Sequence, residues 1–93
     1  MKALEPGPLR EKYRVIKAIY YETGLDDDGG FWLAWTLEPP IWWGEGETEE
    51  DAVADLIDTL INVYEHEIAD EREGLSLVYL DPPVRDYIEA VES

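Results

Sequence analysis

The sequence contains no cysteine, which excludes disulfide bridges and thiolate metal sites and is typical of proteins of the reducing cytosol. No apolar run approaches the roughly 18 residues that a membrane-spanning helix needs. The N-terminus has no apolar segment followed by small residues, so we expect no secretory signal. These absences predict a cytoplasmic protein. Its 93 residues predict a single domain, because two hydrophobic cores would each be too small.

Basic residues are also scarce, since 7 Lys and Arg stand against 23 Asp and Glu and the formal net charge is −16. Five of the seven precede residue 18, so the rest of the chain is almost purely anionic. Binding to nucleic acid depends on cations that neutralise phosphates, and this chain would repel DNA and RNA. The same field attracts cationic proteins, so the charge predicts a basic protein partner and no direct contact with nucleic acid.

The order of the patterns predicts a small α+β domain. Two prolines and a glycine in the segment EPGP predict a flexible N-terminal arm over residues 1–11, with the domain over 12–93. Strand-sized segments rich in β-branched and aromatic residues flank a turn of Gly and Asp, which predicts an antiparallel hairpin. The predicted strands are 13–22, 31–37, 41–46 and 75–80.

A long amphipathic helix is the clearest element. Thr48 is a typical N-cap residue, Asp51 follows at the capping-box position, and acids fill the first turn, where the helix dipole favours them. Apolar residues then recur at spacings of three and four, which predicts a helix over 49–71 that covers one face of the sheet, with Gly74 as its C-cap. The apolar stripe is Val53, Leu56, Ile57, Leu60, Ile61, Tyr64 and Ile68. A short terminal helix is expected over 84–92.

The segment LEPPIWWGEGETEEDAVADLIDTLI, with the predicted order β-β-β-α-β, resembles the HicB-like antitoxin family. In that family a strand ends in an acid-Leu-Pro-Gly turn, a short strand leads to Gly-Asp-Thr, and a helix begins Glu-Glu-Ala. Residues 38–40 stand at the acid, leucine and proline, and Ile41 replaces the turn glycine. Residues 46–48 stand at Gly-Asp-Thr and residues 50–52 at the helix start. The resemblance covers roughly residues 13–67.

The resemblance implies a partial ribonuclease-H-like fold without nuclease activity, which binds and blocks a small basic ribonuclease toxin, HicA. We also expect self-association as a dimer or tetramer. The residues after Gly74 are too few for a multi-helix DNA reader, so we expect no DNA-binding module. Two alternatives stay open at this point. One is a stand-alone acidic binder or nucleic-acid mimic with a different partner, and the other is a small metal-dependent nuclease.

Candidate catalytic and metal-binding residues are few. A calcium loop that began at Asp26 would need a Glu at its twelfth position, which is Leu37, so a solvated turn is favoured for the acids at 26–28. His66 is the only histidine, and no nucleophile motif accompanies it, so a surface role is favoured. The other carboxylates are interpreted as a solvated acidic face. We therefore expect no enzymatic activity, catalytic residue, cofactor or metal.

The four tryptophans predict an interface. Trp32 and Trp35 are three apart on one strand and must face opposite ways, as must the adjacent Trp42 and Trp43. We expect Trp35 to pack against the helix and Trp32 to lie on the other face, where exposed aromatic residues usually mark a binding surface. The alternative is that a chain terminus covers that face. The predicted interface residues are Trp32, Trp42, Trp43, Tyr20, Glu38 and Glu45.

Overall fold

A computed structural model describes residues 2–10, 12–38, 41–74 and 83–91 of the chain. These residues form two antiparallel sheets and one long helix, so the α+β class is confirmed. The strands are β1 (Lys2–Leu4), β2 (Gly7–Arg10), β3 (Tyr13–Val15), β4 (Ile19–Leu25), β5 (Trp32–Thr36), β6 (Trp43–Gly46) and β7 (Ile88–Ala90), and the helix is α1 (Glu49–Arg72). The larger sheet has the order β1-β4-β5-β6, and the smaller has the order β2-β3-β7.

The N-terminal segment is part of both sheets. Strand β1 pairs with β4, and strand β2 pairs with β3, so regular structure begins at Lys2 and the expected flexible arm is wrong. Gly7 lies where the chain passes from the larger sheet to the smaller one. Its φ is 143°, a backbone conformation that glycine adopts more readily than residues with a side chain. Pro8 is tolerated because β2 is an edge strand with a register shift between Pro8 and Arg10.

The segment predicted as one strand over 13–22 is divided between the two sheets. β3 ends at Val15 and β4 begins at Ile19. Between them, the amide of Ile16 donates to the carbonyl of Tyr87 at 2.7 Å, a contact with a distant part of the chain that the local sequence does not reveal. The hairpin of β4 and β5 and the third strand β6 are present as predicted. β5 and β6 are shorter than predicted, whereas β4 continues beyond residue 22 to Leu25, into the segment predicted as the turn.

The C-terminal segment does not form the predicted helix. Val84–Asp86 make a single 3-10 turn, and β7 then pairs with β3, placing Ile88 opposite Val15. Pairing with a strand from the start of the chain thus overrides the local helical pattern of residues 84–92. The fourth strand predicted over 75–80 lies outside the described residues.

Helix α1 matches its prediction closely. The Thr48 side chain accepts from the Asp51 amide at 3.1 Å, which confirms the N-cap. At the other end Glu73 is the C-cap, and Gly74 follows with a φ of 77°, the left-handed conformation that glycine favours after a helix. Leu56 and Leu60 of the apolar stripe are fully buried, and Ile61 is nearly so. The central buried cluster is Ile19, Ala34, Ala52, Leu56, Leu60, Val84 and Ile88.

Glycines in β6 decide which sheet face meets the helix. A Cβ on Gly44 would come 2.1 Å from the Leu56 nitrogen, and one on Gly46 would come 2.4 Å from the Asp51 Cβ, so the helix packs directly on these positions. Gly44 pairs with Ala34, and Gly46 pairs with Trp32. Since paired residues share a face, Trp32, Ala34 and Thr36 face the helix. Our assignment of the two faces is therefore reversed.

Candidate functional site

The second face of the larger sheet is not covered by α1. We call it the open face and define it by the six larger side chains that share it, Tyr20, Glu22, Leu33, Trp35, Trp43 and Glu45. Trp43 is 61% exposed and Tyr20 is 48% exposed, whereas Trp35 and Leu33 are half-buried. Exposed aromatic side chains on one sheet face are typical of binding surfaces.

The register arranges the open face in two rows. One row runs from Glu22 on β4 through Trp35 on β5 to Trp43 on β6, and the other brings Leu33 next to Glu45. Directly paired residues hold their Cβ atoms about 5 Å apart, so each tryptophan has a cross-strand neighbour on this face. Trp35 also lies over Gly24, where its Cη2 atom would be 3.3 Å from an added Cβ. Trp35 is less exposed than Trp43 because β5 has a neighbouring strand on each side, whereas β6 is at the edge of the sheet.

The outer edge of β6 is closed by the helix. The amide of Glu45 donates to the Asp55 carboxylate at 2.9 Å, and the Thr59 hydroxyl donates to the Trp43 carbonyl at 3.3 Å. These bonds use backbone groups of the edge strand that would otherwise invite pairing with another chain. The backbone carrying Trp43 and Glu45 is therefore fixed to α1, while their side chains point to the open face.

Most of the basic side chains interact with other side chains of the same chain. Four of the seven form ion pairs with acids of the same chain, namely Lys2 with Glu49, Arg10 with Asp58, Arg14 with Glu89 and Arg85 with Glu71. Lys17 lies over the Tyr87 ring at 5.2 Å from its centroid. None of the six side chains that define the open face is basic, and its two charged groups are both carboxylates.

The six predicted interface residues are separated by the structure. Trp43, Tyr20 and Glu45 lie on the open face, and Glu38 is exposed just beyond the end of β5. Trp32 and Trp42 instead pack against the buried cluster. Trp42 is held there because its amide donates to the Thr36 hydroxyl at 2.9 Å.

The sequence analysis missed Glu22, Leu33 and Trp35 as residues of the open face. Glycines at alternate positions of a strand indicate that another backbone packs closely on that face of the strand. Gly44 and Gly46 could therefore have identified the face that the helix covers. Period-two geometry would then have placed Trp35 on the other face.

A buried carboxylate holds the C-terminal segment against the helix. Glu67 is 1% exposed, and its two carboxylate oxygens accept from the amides of Val84, at 2.8 Å, and Arg85, at 2.9 Å. The predicted apolar stripe did not include this position. A buried charge is tolerated only when it is hydrogen-bonded, and the two amide donors meet this requirement.

The contact between Tyr13 and Glu65 joins β3 to the helix. The Tyr13 hydroxyl donates to the Glu65 carboxylate, and this hydrogen bond, with burial and the nearby negative charge, raises the pKa of Tyr13 above its ordinary value. The Tyr13 ring meets the Tyr64 ring edge-to-face with centroids 6.0 Å apart. Tyr64 in turn accepts from the Ala90 amide at 3.2 Å, which links the helix to β7.

Asp26 and His66, which the sequence offered as candidates for metal binding or catalysis, make hydrogen bonds to the backbone close to them in the chain. Asp26 accepts from the amides of Gly30, at 2.8 Å, and Phe31, at 3.4 Å, and so stabilises the hairpin turn. His66 is exposed on α1, and its Nδ1 lies 2.8 Å from the Asn62 carbonyl. Within the described ranges, no three His, Cys, Asp or Glu side chains are grouped as a metal site would require. Within the same part of the chain, no helix has the length and apolarity of a membrane span.

Comparison with known proteins gave no match to a protein-family model, a curated protein or a solved structure.

Proposed function

We propose that this protein is a non-catalytic binding domain for a small basic protein. The observation that carries the proposal is the distribution of charge in the fold. Four of the seven cations are paired with acids of the same chain, while the exposed carboxylates of Glu22, Glu38 and Glu45 form no ion pair with another described residue. A surface of this kind accelerates association with cationic proteins and repels nucleic acid.

The specific form of the proposal is a HicB-like antitoxin of the cytoplasm that neutralises a HicA-like ribonuclease by covering its active or RNA-binding surface. Its support is the residue pattern of 38–52 and the succession of three antiparallel strands, β4, β5 and β6, followed directly by α1. The Thr48 cap and the glycine at 46 occupy the positions that the family pattern gives them. A partial ribonuclease-H-like fold and self-association as a dimer or tetramer are parts of the same proposal.

Identification of the partner tests the proposal. The tagged protein, purified from its native host, should carry a small basic protein that mass spectrometry identifies. That partner should cleave RNA when purified alone, and one equivalent of the present protein should stop the cleavage. The association rate should fall steeply between low salt and about 0.5 M salt, because added ions screen exposed charges.

Three outcomes separate this proposal from its alternatives. A basic partner without ribonuclease activity would favour a stand-alone acidic binder. Magnesium-dependent RNA cleavage by the purified protein itself would favour the nuclease. An acidic or neutral partner whose association rate is independent of salt would contradict the charge argument as a whole.

A further inference from the structure

We infer that the open face is the docking surface for an arginine-rich segment, which places guanidinium groups on Trp35 and Trp43 and within reach of Glu22 and Glu45. This docking surface rests on the proposed function in one respect, because it requires that the partner be basic. The partner should contact it through arginine side chains.

The open face has the aromatic area for such a contact. Trp43 is the most exposed large hydrophobic residue of the described chain, at 61%, and Trp35 is its direct cross-strand neighbour. Tyr20 extends the surface across β4 at 48% exposure. The helix packs on the opposite face of the sheet, so it does not cover these side chains.

Charge complementarity selects a cationic segment as the occupant. Glu22 and Trp35 are paired across β4 and β5, and Glu45 follows Trp43 by two residues on the same face of β6. Each tryptophan therefore has a carboxylate close to it on the sheet. A cation above an indole ring is attracted by the ring's negative face, and the adjacent carboxylate adds an ion pair to the same cation.

Arginine suits this surface better than lysine. Its guanidinium is planar and weakly hydrated, so it stacks on an aromatic ring while its N–H groups bind a carboxylate. The lysine ammonium is a compact, strongly hydrated charge and gains less from the ring. A surface with two indole rings, each beside a carboxylate, should therefore bind arginine side chains more tightly than lysine side chains.

A second copy of the chain fits the open face poorly. Two open faces in contact would bring Glu22 and Glu45 of one copy against the same acids of the other, without a basic side chain on either face to compensate. Carboxylates brought together in one interface without a compensating cation are destabilising.

The test uses the full chain and two short peptides of equal length and charge, one rich in arginine and one rich in lysine. Binding is measured by calorimetry and by tryptophan fluorescence. The arginine peptide should bind at least about threefold more tightly. Trp43→Ala and Glu45→Gln should each weaken its binding by about fivefold. Neither variant should unfold the protein, because both side chains are exposed and the bonds to Asp55 and Thr59 use backbone atoms.

Glu50→Gln is the matched control. It removes the same charge from an exposed position of α1, on the other side of the sheet, and should change the affinity by less than about twofold. Equal losses for Glu50→Gln and Glu45→Gln would show that only net charge matters and would overturn the inference. A wild-type dimer that Trp43→Ala converts to monomer in sedimentation would also overturn it, in favour of a second copy as the occupant.

The natural partner separates the two proposals. If the basic partner binds a Trp43→Ala, Glu45→Gln double variant with unchanged affinity, the docking surface is wrong while the proposed function stands. If peptide binding depends on the open face as described but the native host yields no basic partner, the proposed function fails while the surface stands.

Discussion

Gly44 lies directly beneath the backbone of Leu56, so closely that a single added methyl group would come within 2.1 Å of the Leu56 nitrogen. The neighbouring atoms are backbone atoms of α1, including the Ala52 carbonyl oxygen at 2.6 Å, and cannot rotate away. The fit between β6 and the helix therefore depends on the absence of a side chain at this position.

Gly44→Ala should destabilise the protein by about 3 kcal/mol, because the helix would have to move away from the sheet. The midpoint of urea unfolding measures the loss. Gly30→Ala is the control, since an added Cβ there has no neighbour within 4 Å, and it should leave the midpoint nearly unchanged. Similar midpoints for the two variants would contradict the close packing of α1 on β6.

Replacement of tryptophans by glutamate should distinguish the two sheet faces. Trp32→Glu should cost about 3 kcal/mol or more, because it removes a large side chain from the buried cluster and places a charge beside it. Trp43→Glu should leave the free energy of unfolding within about 1 kcal/mol, because Trp43 is largely exposed. Far-ultraviolet circular dichroism during urea unfolding measures both. A Trp32→Glu variant as stable as Trp43→Glu would instead support the sequence-based expectation that Trp32 lies on the uncovered face.

Glu67→Gln should destabilise the protein by about 2 kcal/mol. The glutamine side chain offers one acceptor oxygen and an NH2 group, which would face one of the two amide donors of Val84 and Arg85 and leave it unpaired. Glu73→Gln is an exposed control and should stay within about 0.5 kcal/mol of the wild type. Equal stabilities of the two variants in urea would show that the Glu67 carboxylate does not hold the C-terminal segment.

Tyr13 should contribute stability that disappears in alkali. Its pKa is raised in the folded protein, so the folded state binds the phenolic proton more tightly than the unfolded state. The contribution is therefore present in full below the unfolded tyrosine pKa of about 10 and is lost as pH rises through the higher folded value. The difference in unfolding free energy between the wild type and Tyr13→Phe should be constant below about pH 10 and shrink above it. A difference that grows with pH in that range would contradict the hydrogen bond to Glu65.

Local signals predicted the helix and the central hairpin well. The Thr48 cap, the acids of the first turn and the glycine at 74 are interactions within a few residues of one another, so they act in any context that allows a helix. The turn at Asp26 is likewise closed by bonds to Gly30 and Phe31. Such elements can be read from the sequence because the bonds that define them join near neighbours.

The open face was only half predictable. Period-two geometry predicted that Trp32 and Trp35 lie on opposite faces of one strand, and that Trp42 and Trp43 point to opposite sides. Which of each pair is covered depends on the position of α1. The small residues Ala34, Gly44 and Gly46 set that position, and their common face appears only when β5 and β6 are paired in register.

The sequence by itself determined the α+β class, the long capped helix, the β4–β5 hairpin and the excess of acidic charge, because composition and short-range hydrogen bonds specify them. Only the tertiary structure decided the roles of the two chain ends and of the tryptophans. Strand β1 forms because β4 offers its unpaired backbone groups, and β7 forms because β3, far away in the sequence, does the same, whereas β2 pairs with the neighbouring strand β3. The same long-range packing covers Trp32 and leaves Trp43 exposed. The backbone of α1 can come close to the sheet only on the face where β6 carries the glycines at 44 and 46.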